Sequence, residues 1–237
     1  SILIENAGAR GLAIDVASGY IYWAAPNTSF GQGSIKRADL DGGNVTVLTT
    51  GLAGGTRYIA LDTTAGKIYW TDVECHGSGC LGWIPIDGGP FNILLDLNFP
   101  TGIAVDHAED RLFFCEGADV YAADLTASNP DLIVLAGGRG LAIDTVKKQL
   151  YISNVGSDII RRSDYQGVEI EIVQSTGMAG ARHIALEFGL CAGDVDRSGE
   201  VAMPDLLIVL AQWGQCPAVC PGDVDGNGLV DFTDLLH

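Results

Sequence analysis

Up to Phe188 the hydrophobic and polar positions follow one repeated pattern: a short run of small apolar residues closed by an acid, a polar turn, then an aromatic run. The copies are Gly11–Asp15 with Tyr20–Trp23, Tyr58–Asp62 with Lys67–Asp72, Gly102–Asp106 with Arg111–Phe114, and Gly140–Asp144 with Gln149–Ile152. A fifth first half stands alone at His183–Glu187. The closing acids fall at 15, 62, 106, 144 and 187, so successive spacings are 47, 44, 38 and 43 residues. Strand-length apolar runs recurring at about forty residues predict the blades of a propeller. The first copy displays four strands, at Leu12–Asp15, Tyr20–Trp23, Ser34–Arg37 and Val45–Leu48. Asp41-Gly42-Gly43 and Asp87-Gly88-Gly89 sit where a hairpin needs residues tolerant of positive φ. The small Leu-Ala-Ile type of strand suits the crowded centre of a propeller, and the aromatic second strand fills space between blades.

Tyr69-Trp70-Thr71-Asp72, preceded by its small-apolar half, resembles the YWTD (class B) repeat of low-density-lipoprotein receptor propellers. Tyr22-Trp23-Ala24-Ala25, Phe113-Phe114-Cys115-Glu116 and Tyr151-Ile152-Ser153-Asn154 are degraded versions of it. The resemblance covers residues 1–188 and implies a mostly β fold, a YWTD-like β-propeller of four complete repeats plus partial strands. That family closes six blades. Ser1–Glu5 resembles a fourth strand whose blade has no other members here, and Arg182–Glu187 an inner strand with nothing after it. Unpaired edges of this kind recruit another chain. Head-to-tail self-association is therefore expected, with an intramolecular clasp of the two strands as its alternative.

After Phe188 the texture changes, and two acidic loops follow, at Asp194–Asp205 and Asp223–Asp234. Calcium takes six to eight hard oxygens, which an EF-hand loop supplies from positions 1, 3, 5, 7, 9 and 12 around a glycine at position 6. The first loop offers Asp194, Asp196, Ser198, the carbonyl of Glu200 and Asp205, turning at Gly199. The second offers Asp223, Asp225, Asn227, the carbonyl of Leu229, Asp231 and Asp234, turning at Gly228. Two Ca2+ ions are expected. Between the loops, Leu206, Val209, Leu210 and Trp213 stand at helical spacing and Gly214 ends the run. The two segments, each with Asp-Leu-Leu after its loop, resemble the duplicated calcium-binding segments of type I dockerins. That resemblance implies a small α-helical EF-hand module over 189–237, a cohesin-like partner and a bacterial source. Positions 10 and 11 of the loops, which help to select the partner in that family, hold Met203-Pro204 and Phe232-Thr233. The second helix stops at Leu235-Leu236-His237, so the chain is expected to end inside the motif.

Composition narrows the function. Thirteen basic against thirty acidic residues give a formal charge of −17, which repels nucleic acid and anionic membrane and favours bound cations. The longest apolar run, Leu206–Ala211, is far short of the roughly 20 residues a bilayer span needs. Six cysteines without a paired zinc pattern point to disulfides and an extracellular, secreted or surface-associated protein. Cys75 and Cys80 bracket a four-residue loop and are the expected pair. No charged-then-apolar leader opens the chain at Ser1, as in a mature secreted product or an excised fragment.

Asp15, Asp62, Asp106 and Asp144 recur in every copy, which suits acceptance of turn amides better than catalysis, where groups differ from one another. His76, His107 and His183 share no ligand spacing, and no Gly-x-Ser-x-Gly elbow occurs. Three classes compete: a non-catalytic calcium-binding assembly protein that self-associates or binds another extracellular protein, a tether to a cohesin-like partner, and a propeller enzyme. The first is the reading that the residues favour.

Overall fold

The computed structural model describes residues 3–5, 7–27, 29, 31–135, 138–154, 156–168, 170–175, 183–186, 214–215 and 229–230. The chain divides into two units, Ser1–Ala185 and Leu186–His237. The first unit holds four sheets of four strands each, and in each sheet consecutive strands pair antiparallel. The first comprises β1 (Leu12–Asp15), β2 (Tyr20–Ala25), β3 (Gly33–Asp39) and β4 (Thr46–Leu52). The second comprises β5 (Thr56–Asp62), β6 (Lys67–Asp72), β7 (Cys80–Pro85) and β8 (Asn92–Asp96). The third comprises β9 (Pro100–Asp106), β10 (Arg111–Glu116), β11 (Asp119–Ala123) and β12 (Asp131–Leu135). The fourth comprises β13 (Gly140–Asp144), β14 (Gln149–Asn154), β15 (Ile159–Asp164) and β16 (Glu171–Gln174). The first strands β1, β5, β9 and β13 neighbour one another in that order, so they line the centre. This is the expected mostly β, propeller-like arrangement.

The two-residue period of a strand decides how the blades stack. Along the second strands one set of side chains faces the following blade and the alternate set faces the preceding one. Tyr22 and Ala24 of β2 share a buried cluster with Ile68 and Trp70 of β6. Tyr69 in turn meets Leu112 and Phe114 of β10, and Phe113 meets Leu150 and Ile152 of β14. Each fully buried side chain of this size contributes roughly 1.5–3 kcal/mol. The aromatic run therefore serves the space between blades, as its composition predicts. Gly82 of β7 is part of this packing. A Cβ there would stand 2.6 Å from Trp70 Cζ2 and would also collide with the Asn92 carbonyl.

In the first blade the backward-facing positions belong to Ile21 and Trp23, which pack with Ile4 and Ala7 of the chain's own leading segment. Trp23 Nε1 donates to the Ala7 carbonyl at 3.1 Å. Leu3 lies over Gly42 through its carbonyl, as Leu48 lies over Gly88 and Ile133 over Gly167. The segment thus occupies the place of a preceding blade's outer strand.

Two expectations need correction. Leu3–Glu5, part of the expected strand Ser1–Glu5, forms bends and a turn. His183–Leu186, part of the expected inner strand, joins no sheet. In both cases the rest of the blade is missing from the repeat pattern, so no neighbouring strand supplies a ladder. In the second unit Gly214, the residue expected to stop a helix, lies in β17 (Gly214–Gln215), which pairs antiparallel with β18 (Leu229–Val230) and is compatible with that stop. The helix expected before it lies outside the described residues. Among the described residues the helical structure is one 3-10 turn, Cys75–Gly77.

Candidate functional site

The recurring carboxylates are structural. The Ser18 amide donates to Asp15 Oδ1 at 3.1 Å and the Ala65 amide to Asp62 Oδ1 at 2.8 Å. Ala108 and Glu109 donate to Asp106 Oδ1 at 3.1 and 3.3 Å, and Val146 and Lys147 to Asp144 Oδ1 at 3.0 and 2.8 Å. Each acid therefore closes the turn after its own first strand, as its regularity predicts. In Asp62 and Asp106 the second oxygen reaches the next blade. Asp62 Oδ2 lies 3.0 Å from His107 Nδ1, and Asp106 Oδ2 accepts from Lys148 Nζ at 3.1 Å and from the Tyr165 hydroxyl at 2.9 Å. Burial, followed by the hydrogen bond to Asp106, pushes the Tyr165 hydroxyl far above the usual tyrosine range.

The last residue of the YWTD motif works in the same way. Asp72 accepts from the Thr56 hydroxyl at 2.8 Å through Oδ2, and from the Glu74 and Cys75 amides at 2.8 and 3.2 Å through Oδ1. It organises the loop that the Cys75–Cys80 disulfide closes. Asn154 repeats the role, accepting from Gly156 and Ser157 at 2.9 and 3.0 Å. The Thr71 hydroxyl donates to the Thr101 carbonyl of the next blade at 2.7 Å. Among the described residues Cys115 is a buried free thiol, and burial pushes it up to about 12, so it stays protonated at neutral pH and is a poor nucleophile.

A cavity of about 450 Å³, here called the mouth, lies beside the starts of the inner strands and is lined by Ala9, Arg10, Arg57, Tyr58, Arg139 and His183. Arg10 and Arg139 immediately precede the inner-strand motifs of blades one and four, and Arg57 holds the same register in blade two. Blade three has Thr101 at that place. The Arg139 carbonyl accepts the Gly102 amide at 2.7 Å, which ties the blade-three lead-in to an arginine of the mouth. The His183 ring stacks on Tyr58 with centroids 4.6 Å apart. Three arginines from three blades thus line one cavity, in a chain of formal charge −17. Guanidinium forks match carboxylates in shape and charge, so the chemistry available here is anion capture. The sequence reading missed this site. Its signal was the fixed register of arginine before the inner-strand motif, where Arg182 also falls.

Of the expected calcium ligands, Asp194, Asp196, Ser198, Glu200, Asp205, Asp223, Asp225, Asn227, Asp231 and Asp234 lie outside the described residues. Leu229 is described and lies in β18 opposite Gln215. Among the described residues no group of three or more His, Cys, Asp or Glu could hold a metal ion. His76 Nδ1 lies 2.6 Å from Asp96 Oδ1 on the exposed loop. Among the described residues no helix is long and apolar enough to cross a membrane.

No protein-family model matches the chain. Solved structures do. A chain of a nidogen/laminin complex superposes with a TM-score of 0.65 at 23% identity, covering 74% of this chain and 67% of that one. An auxiliary nutrient binding protein from Bacteroides thetaiotaomicron gives 0.58 at 19% identity, covering 77% and 44%. TolB from Acinetobacter baumannii gives 0.53 at 11% identity, covering 68% and 42%. The chain spans less than half the length of the latter two. At these identities the likeness is one of fold, that of a β-propeller with a YWTD-type structure among its neighbours.

Proposed function

We propose that the protein is an extracellular, non-catalytic binding and assembly propeller that recognises an acidic group of a partner polypeptide at its arginine-lined mouth. The observation that carries this reading is the convergence of Arg10, Arg57 and Arg139 on one cavity. Residues 189–237 act in this reading as a dockerin-like α-helical module. Asp194, Asp196, Ser198, Glu200 and Asp205 hold one calcium ion, and Asp223, Asp225, Asn227, Leu229, Asp231 and Asp234 the other. The Cys75–Cys80 disulfide supports an oxidising, extracellular setting. The structural neighbour from a complex of nidogen and laminin supports a role in association rather than in chemistry. Self-association is a second reading, favoured by the exposure of Leu12 and Ile14 on the first inner strand at 53% and 52%.

The test is fluorescence anisotropy with a labelled glutamate oligomer and a lysine oligomer as control, at low and raised salt. The glutamate oligomer binds the native chain. Arg57→Gln with Arg139→Gln weakens it by about tenfold or more, equivalent to ~1.4 kcal/mol. Equal binding of native and variant chains, or a preference for the lysine oligomer, overturns the reading.

A further inference from the structure

The lead-in to blade three differs from the others in a second way. Two residues before the arginine register the sequence has Gly8, Gly55 and Gly137 in blades one, two and four, but Phe99 in blade three. The backbone is left-handed at Gly8, with φ 59°, and at Phe99, with φ 52°, but not at Gly55. A residue with a Cβ is disfavoured there, and a bulky aromatic one especially so. The surroundings hold the conformation from both sides. The Phe99 amide donates to the Ser78 carbonyl at 3.0 Å, in the loop closed by Cys75 and Cys80. Gly117 donates to the Asn98 carbonyl at 3.0 Å and the Phe99 carbonyl at 3.3 Å, while the Asn98 amide donates to Glu116 Oε1 at 2.7 Å.

Despite this cost, Phe99 is not packed. It is 63% exposed, the second most exposed large apolar side chain among the described residues after Val16 at 68%. The fold gains neither a relaxed backbone nor a buried ring from this choice, although in blade one a glycine takes the same left-handed conformation. A strained backbone combined with an exposed ring is the arrangement of a contact residue. Its place fits the mouth. Phe99 lies three residues before Gly102, whose amide is bonded to the Arg139 carbonyl, so ring and guanidinium groups belong to the lead-ins at one end of the inner strands.

We propose that Phe99 is the apolar anchor of the face whose anionic half is the arginine mouth. The partner is then a polypeptide segment that sets an aliphatic or aromatic side chain on Phe99 and a nearby carboxylate among Arg10, Arg57 and Arg139. This specificity rests on the mouth reading above, and the experiment separates the two. A displayed library of random linear peptides is panned on the native chain, on Phe99→Gly, and on the triple variant Arg10→Gln/Arg57→Gln/Arg139→Gln. On the native chain the enriched peptides carry an acid and a nearby large apolar residue. On Phe99→Gly the acid persists and the apolar preference disappears, and a synthetic copy of the native consensus binds about tenfold more weakly. The melting temperature of Phe99→Gly stays level or rises by about 2–4 °C, because the left-handed position relaxes, which rules out unfolding as the cause. An apolar preference kept on Phe99→Gly at unchanged affinity overturns the role of Phe99 and leaves the mouth standing. Acids enriched equally on the triple variant, or no consensus on the native chain, overturn the mouth and this inference together.

Discussion

Tyr165→Phe isolates one hydrogen bond between blades. The ring stays in place against Phe113, with centroids 4.6 Å apart, so only the hydroxyl and its 2.9 Å bond to Asp106 Oδ2 are lost. Tyr165 is 5% exposed and Asp106 2%, so water does not replace the donor freely. A hydrogen bond to a charged group contributes roughly 1.5–3 kcal/mol, and Asp106 keeps Lys148 and two turn amides, which places the loss near ~2 kcal/mol. For a domain of this size that is a fall of about 4–8 °C in melting temperature. The sign with pH also follows. Burial and Asp106 raise the folded-state pKa of Tyr165 above the usual 10.0, so the stabilisation is present below about pH 10 and is lost as pH rises past it. Calorimetry of the native chain and Tyr165→Phe between neutral and alkaline pH reads both effects: a gap at neutral pH that narrows above about pH 10. Melting temperatures agreeing within about 1 °C at neutral pH would refute the reasoning.

Gly82→Ala forces a methyl group into Trp70 and the Asn92 carbonyl, and should cost about 1–3 kcal/mol, read by urea denaturation as a lower midpoint with unchanged slope. Chelation should remove two calcium ions and unfold the segment after Cys191 while leaving the propeller's thermal transition in place; metal stoichiometry unaltered in Asp194→Ala with Asp223→Ala would contradict it. Reduction of Cys75–Cys80, which closes a loop of only a few residues, should lower stability by roughly 2 kcal/mol, read by melting with and without a thiol reductant.

The blades were legible because each carries its own copy of the pattern. Strand periodicity, the turn-closing role of Asp15, Asp62, Asp106 and Asp144, and the Cys75–Cys80 pair all depend on residues close in sequence. The features that were hidden depend on the ring. Arg10, Arg57 and Arg139 are far apart in the chain and meet only because the inner strands converge, so each read alone as an ordinary basic residue. Phe99 was hidden for another reason: its significance is a backbone angle, which the repeat alignment hints at only through the glycines around it. The second oxygens of Asp62 and Asp106 likewise serve His107, Lys148 and Tyr165, which follow no shared spacing. Lone halves misled in the opposite direction. Leu3–Glu5 and His183–Leu186 have the composition of strands, but a strand is defined by its neighbour as much as by its residues.

The division of labour within Asp106, one oxygen for its own turn and one for the next blade, also bears on how such a chain changes in evolution. Repeats gained or lost by duplication are tolerated easily when each unit satisfies its own polar groups. Here, excising the fourth copy would strip Lys148 and the Tyr165 hydroxyl from Asp106 and leave the carboxylate only its own turn amides. The carboxylate therefore makes neighbouring copies dependent on each other, since loss of one blade takes hydrogen bonds from the blade before it.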